Sequence, residues 1–121
     1  MTNTRKRGSR WEAAAESFLN GRGLATIKRN YHGRVGEIDL VMLDGQTLVF
    51  TEVRYRSSRS HGGGAASVTP AKQRKIIMAA RRFLQAEKQH AWRRCRFDVI
   101  SIGAEEGRTV MQWIRSAFYA G

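Results

Sequence analysis

The sequence predicts an α/β domain in which helices flank a mixed central sheet, in the order α-β-β-β-α-β-β. Three observations carry that class. Two stretches, Trp11 to Leu19 and Ile76 to Leu84, repeat apolar residues at helical spacing. Five others read as strands by alternation, and Asp44-Gly45 separates two of them as a hairpin turn would. A length of 121 residues suits one domain, and 41% hydrophobic against 26% charged residues excludes a disordered basic tail. With no internal repeat, the expected division is a flexible basic arm over residues 1–9 and a single domain over 10–121.

After the arm, Trp11, Ala14, Ala15, Phe18 and Leu19 fall at the i, i+3, i+4, i+7 and i+8 positions of an amphipathic helix. Ser9 is placed to cap its start, and Gly21 or Gly23 to end it. Glu12 lies about 90° from the middle of the apolar stripe at 100° per residue, which sets it on the border of the core. Leu24 to Tyr31, Glu37 to Leu43 and Thr47 to Arg56 follow as strands. In the third, Leu48, Phe50, Glu52 and Arg54 share one face, and Val49, Thr51, Val53 and Tyr55 the other. In the second, Glu37, Asp39 and Val41 share a face, so a hairpin of matching register brings Asp39 and Glu52 together.

Residues 57–67, with Gly62-Gly63-Gly64, read as a flexible loop; they lack the Lys-Ser/Thr ending of a phosphate-binding P-loop. Thr69-Pro70 then offers an N-cap and a proline at the first helical position. Ile76, Ile77, Ala80, Phe83 and Leu84 form the stripe of the second helix. Arg96 to Ile102 and Thr109 to Ile114 are the last two strands.

Charge narrows the partner class. There are 22 Lys and Arg against 10 Asp and Glu, a net +12, and 17 of the cations are Arg. Arg presents a planar fork of donors that suits phosphate, so the bias points to nucleic acid. Charge alone leaves ribosomal, membrane-surface and acidic-protein partners open. Cys95 is the single cysteine, which excludes a disulfide framework and a CxxC metal knuckle. No apolar run approaches the ~18–20 residues of a membrane span. The basic start lacks the apolar stretch of a signal peptide, so a cytoplasmic protein with no membrane partner is expected.

The acids are more informative than the cations. Glu37, Asp39 and Glu52 lie on the expected hairpin, while Val53 to Ala86 holds no acid and eight cations. Carboxylates set close together repel one another, and a hard divalent cation such as Mg²⁺ or Mn²⁺ is the usual remedy. Blander explanations compete. Two acids and an Arg on neighbouring strands more often form a cross-strand ion pair. Glu12 taken alone is a helix-surface acid, and the charges of the second helix are a solvated face. His32, His61 and His90 have no ligand spacing; Trp11, Phe18, Phe83 and Trp113 suit the core or its boundary, and Tyr31 and Tyr55 could stack bases. From spacing alone, a metal nuclease is a minority reading.

The run Gly36-Glu37-Ile38-Asp39-Leu40, followed by Val49-Phe50-Thr51-Glu52-Val53-Arg54, resembles the PD-(D/E)XK nuclease superfamily. More specifically, the chain resembles the YraN family of small bacterial proteins. The likeness takes in Trp11-Glu12, Glu52-Val53-Arg54-Tyr55-Arg56, Ala66-Ser67-Val68-Thr69, Lys72-Gln73, Cys95-Arg96-Phe97-Asp98-Val99, Trp113-Ile114 and Ala117-Phe118. It covers residues 8 to 119, and the ordered set is far more specific than any one piece.

This resemblance implies a restriction-endonuclease-like fold close to that of Holliday-junction resolvases. It implies Mg or Mn held by Asp39 and Glu52, with Glu12 joining directly or through water and the Val53 carbonyl completing the shell. Arg54 would stand where the superfamily has lysine, and Gln73 where related nucleases place a polar residue near the site. Arg34, Arg56, Arg59, Lys72, Arg74 and Lys75 are the cations expected to hold nucleic acid. The function expected is metal-dependent hydrolysis of phosphodiesters in DNA, branched or otherwise structured, and resolvase relatives act as homodimers. The alternative is a nuclease-like fold that binds nucleic acid without cutting it, in DNA uptake, repair or recombination complexes. A ribosome-associated or protein-interaction domain has only the charge in its favour.

Overall fold

The computed structural model of the protein describes residues 2–56 and 68–120. Helix α1 spans Thr2–Gly21 and is followed by strands β1 (Ala25–His32), β2 (Glu37–Asp44) and β3 (Thr47–Tyr55). Helix α2 (Pro70–Ala86), a 3-10 turn (Lys88–His90) and strands β4 (Cys95–Glu105) and β5 (Arg108–Phe118) complete the chain. The expected order holds, with a five-stranded sheet ordered β1-β2-β3-β4-β5. Neighbours are antiparallel except β3 and β4, which run parallel. A parallel pair needs a long crossover, and α2 lies in the connection that supplies it.

The start of α1 corrects the sequence reading. The segment expected as a loose arm is helical from Thr2, so Ser9 lies within the helix and does not cap it. Arg and Lys are good helix formers, and a polar stretch without apolar periodicity can still extend a helix begun by its neighbour. The C-terminal end is as expected. Gly23 adopts φ +95°, its N–H donates to Asn20 O at 3.0 Å, and Leu24 N–H donates to Leu19 O at 3.1 Å. This is a Schellman ending, with glycine at the left-handed position and Leu19 and Leu24 both in the core. At α2, the Thr69 side chain accepts from Lys72 N–H and Pro70 takes the first turn.

The helices cover opposite faces of the sheet. Ala15 and Leu19 of α1 pack on Leu40, Met42, Val49 and Ile100. Ile76, Ala79, Ala80 and Phe83 of α2 pack on Val41, Leu48, Phe50 and Val99. Phe83 meets Phe50 edge-on at 5.9 Å, and Phe50 stacks on Phe97, which stacks on Phe118. Burying each such ring contributes about 2–3 kcal/mol. Trp11, Phe18 and Trp113 are half-buried at the edge of the α1 layer.

Two tight turns and two register shifts, one in β1–β2 between Thr26 and Lys28 and one in β4–β5, set the pairing. Asp44 pairs with Thr47 around Gly45, whose φ of +63° sits at the first central position of a two-residue turn. Glu106 (φ 50°) and Gly107 (φ 76°) form the β4–β5 turn, both in the left-handed region a type I′ hairpin requires. These two strands outrun their expected limits, because the turn lets pairing continue to Glu105 and Arg108 at one end and Phe97 still pairs with Phe118 at the other. Near Phe97 and Val99 the β4–β5 register shifts, and Ser116 takes φ 51°. Fully buried Asp98 fills the break: its Oδ1 accepts from Ser116 N–H at 3.0 Å.

Candidate active site

The β2–β3 hairpin delivers the central pair. Its register runs Leu40 to Thr51, so the next step sets Asp39 opposite Glu52. The match continues into a hydrogen bond, with Val53 N–H donating to Asp39 Oδ2 at 2.8 Å. Glu12 arrives from α1 and interacts with the Asp39 carboxylate, while Asn30 of β1 hydrogen-bonds Glu12. Asn30 has φ 50°, a left-handed conformation that asparagine tolerates better than most side chains. Helix, hairpin and first strand thus converge on three carboxylates.

Their protonation reflects that crowding. Glu52 is pushed up to about 8, first by burial and then by the Asp39 charge, with Lys72 and Arg54 pulling the other way. Its side chain is only 5% exposed, with Arg54 Nη1 at 3.5 Å and Lys72 Nζ at 3.8 Å from Oε2. Those distances mark charge neighbours rather than tight hydrogen bonds. Glu12 is raised to about 7 by burial and then by Asp39, against the amide of Asn30. Near neutral pH Glu12 and Glu52 thus hold protons that isolated carboxylates would have released.

The other expected site residues are placed as follows in the fold. Lys72 reaches Glu52 from the first turn of α2, so it belongs to the carboxylate cluster as well as to the basic surface. Gln73 does not reach the carboxylates among the described residues; its side-chain amide donates to Val68 O at 2.9 Å and ties down the start of α2. Arg34 is exposed in the β1–β2 turn, Arg74 and Lys75 are exposed on α2, and Arg56 is half-buried beside Gly103. Arg59 and the Gly62-Gly63-Gly64 run lie outside the described residues. Glu37 pairs with His32 at 2.9 Å and adds only a distant negative charge to Glu12.

Gly36, in the motif ahead of Asp39, has a packing reason. A Cβ there would stand 2.6 Å from the Lys75 carbonyl oxygen. Only glycine lets the β1–β2 turn, which leads into the strand carrying Asp39, approach α2 this closely. Asn30 was missed in the sequence; its sole signal is an asparagine inside an otherwise strand-like run.

The donor set is all oxygen and cationic nitrogen. Among the described residues, no group of three or more His, Cys, Asp or Glu side chains is arranged to hold a metal ion by itself. Mg²⁺ and Mn²⁺ make a smaller demand, commonly one or two carboxylates with water and phosphate filling the remaining positions. Asp39 and Glu52, set opposite each other on the hairpin with their oxygens close together, fit that demand. No helix among the described residues is long and apolar enough to cross a membrane.

The model of Uncharacterised protein family UPF0102 matches residues 11–102, which include every carboxylate of the cluster. The chain belongs to the UPF0102 family. UPF0102 is the YraN family to which the motifs pointed. A UPF0102 protein of Alcanivorax borkumensis is 49% identical over 110 residues, covering 90% of this chain and 88% of the relative. One from Aeromonas hydrophila is 51% identical over 116 residues, covering 93% and 84%. One from Herminiimonas arsenicoxydans is 52% identical over 110 residues, covering 91% and 84%.

Proposed function

We propose that this UPF0102 protein is a metal-dependent endonuclease that hydrolyses phosphodiester bonds in DNA. The observation that carries this reading is the convergence of Glu12, Asp39 and Glu52 from three elements of a strongly basic chain, with Glu52 buried and only loosely matched by cations. A protein that merely binds a polyanion gains nothing from such a cluster, because the acids repel phosphate.

Asp39 and Glu52 would hold the divalent ion, with Glu12 at its margin. Once bound, such an ion polarises the phosphodiester and lowers the pKa of a coordinated water. Arg54, beside Glu52, stabilises the negative charge that builds on phosphorus-bound oxygen. It remains charged at working pH and is therefore no general base. Lys72 adds a second positive charge at the same carboxylate. Val53 N–H holds Asp39 in one orientation. The exposed Arg34, Arg74 and Lys75 hold DNA through its backbone, a contact without sequence preference that suits branched or structured substrates.

The second reading is nucleic-acid binding without cleavage, and Arg54 in place of lysine favours it. Both are tested by incubating the protein with labelled duplex, single-stranded, flap and four-way DNA, in Mn²⁺ or Mg²⁺ and in chelator. Cleavage that needs the metal and is lost in Asp39→Ala and Glu52→Ala is the expected result. Tight, salt-sensitive binding with no cutting of any substrate would replace the first reading with the second.

A further inference from the structure

Trp92, on the segment joining α2 to β4, is 64% exposed. It lies at the other end of β3 from the carboxylates: Leu48 N–H donates to Arg94 O at 2.8 Å, and Glu52 is four residues further on, roughly 13 Å at the rise of a strand. Large exposed aromatics mark contact surfaces when their surroundings hold them in place. Here the surroundings do so. The Arg93 guanidinium lies over one face of the indole, 4.6 Å from its centre. Arg93 is itself fixed, with Nε donating to His90 Nδ1 at 2.9 Å and Nη1 to Gln46 O at 3.1 Å. The His90 ring stacks on core Phe83 at 6.2 Å. Backbone bonds from His90, Ala91 and Arg93 to the carbonyls of Glu87, Lys88 and His90 close the turn. The indole is thus anchored to the core through one face, and its exposure falls on the other.

Charge selects the occupant. Arg93 lies on the ring, and exposed Lys88 and Arg94 flank it in the same segment of chain, which between 87 and 94 holds one acid, Glu87, accepting from Gln89 Nε2 at 2.9 Å. An apolar peptide would need an apolar rim, whereas a polyanion with a flat π-face matches both the ring and the cations. We propose that Trp92 is a stacking platform for an unpaired base of single-stranded nucleic acid, with Lys88 and Arg94 meeting the flanking phosphates. The inference rests on the nucleic-acid reading for its partner class but is independent of cleavage. Duplex bases are already stacked on one another, so this contact discriminates in favour of single strands and frayed ends.

The test is fluorescence anisotropy with a labelled twelve-nucleotide dT oligomer and a duplex of equal length, in chelator. Trp92→Ala is expected to weaken the single strand roughly 5- to 100-fold and to leave the duplex within about twofold. Trp92→Phe, which keeps a ring, recovers most of the loss. Thermal melting checks that both variants fold, as an exposed position allows. Unchanged single-strand affinity in Trp92→Ala, an equal loss for both DNAs, or no single-strand binding by the wild type each overturns the platform. Glu52→Gln must retain the Trp92 effect, so loss of cleavage alone leaves this inference standing.

Discussion

Asp98 and Glu52 are both buried acids on neighbouring parallel strands, and the chain treats them in opposite ways. Asp98 is fully enclosed and matched by donors: Arg96 Nε and Nη2 at 3.0 Å, the Trp113 indole N–H at 3.0 Å and Ser116 N–H at 3.0 Å. Arg96 extends the network to Asp44 at 3.0 Å, tying β4 to the end of the β2–β3 hairpin. Glu52 has charge neighbours at 3.5 and 3.8 Å and is pushed up to about 8. A structural carboxylate brings its partners with it. Glu52 instead shares a hydrogen bond with another acid, Asp39, and Lys72 and Arg54 offset only part of the cost of burying it.

The largest effect is expected where that contrast is broken at Asp98. Asp98→Ala removes the acceptor of the Trp113 indole and Ser116 N–H groups and leaves the half-buried Arg96 with Asp44 alone, and should cost about 3–5 kcal/mol in urea unfolding. Gly36→Ala comes next. A methyl group against the Lys75 carbonyl forces the β1–β2 turn away from α2 and should cost roughly 1–3 kcal/mol.

Glu52 should behave in the reverse sense. Below its ordinary 4.5 the acid is protonated in folded and unfolded chains alike and contributes nothing. Between 4.5 and about 8 only the unfolded chain releases the proton, so metal-free stability falls as pH rises and the full cost remains above about 8. Glu52→Gln should flatten that slope and raise the melting temperature at pH 8 but not at pH 4, while abolishing cleavage. The smallest effect is expected at the exposed His32–Glu37 pair, where His32→Ala should change stability by less than about 1 kcal/mol.

Much of this contrast was legible in the sequence on one side only. Strand alternation and the Asp44-Gly45 turn set Asp39 against Glu52, because side-chain period and register follow directly from those residues. Thr69-Pro70 and Gly23 announced their helix ends for equally local reasons. The Asp98 network was invisible. It depends on a bulge at Ser116 and on partners two to eighteen residues away, which no local pattern specifies. Lys72 beside Glu52 and Asn30 beside Glu12 are likewise products of packing between elements. The start of α1 was misplaced since apolar periodicity, the signal used, begins only at Trp11.

The most direct measurement is calorimetric titration of the metal-free protein with Mn²⁺ at pH 7, repeated in buffers of different ionisation enthalpy. Binding should release protons, since Glu12 and Glu52 hold them at that pH, and Asp39→Asn should abolish the signal. No binding at millimolar Mn²⁺, or binding untouched by Asp39→Asn and Glu52→Gln, would contradict a metal-dependent site at these carboxylates.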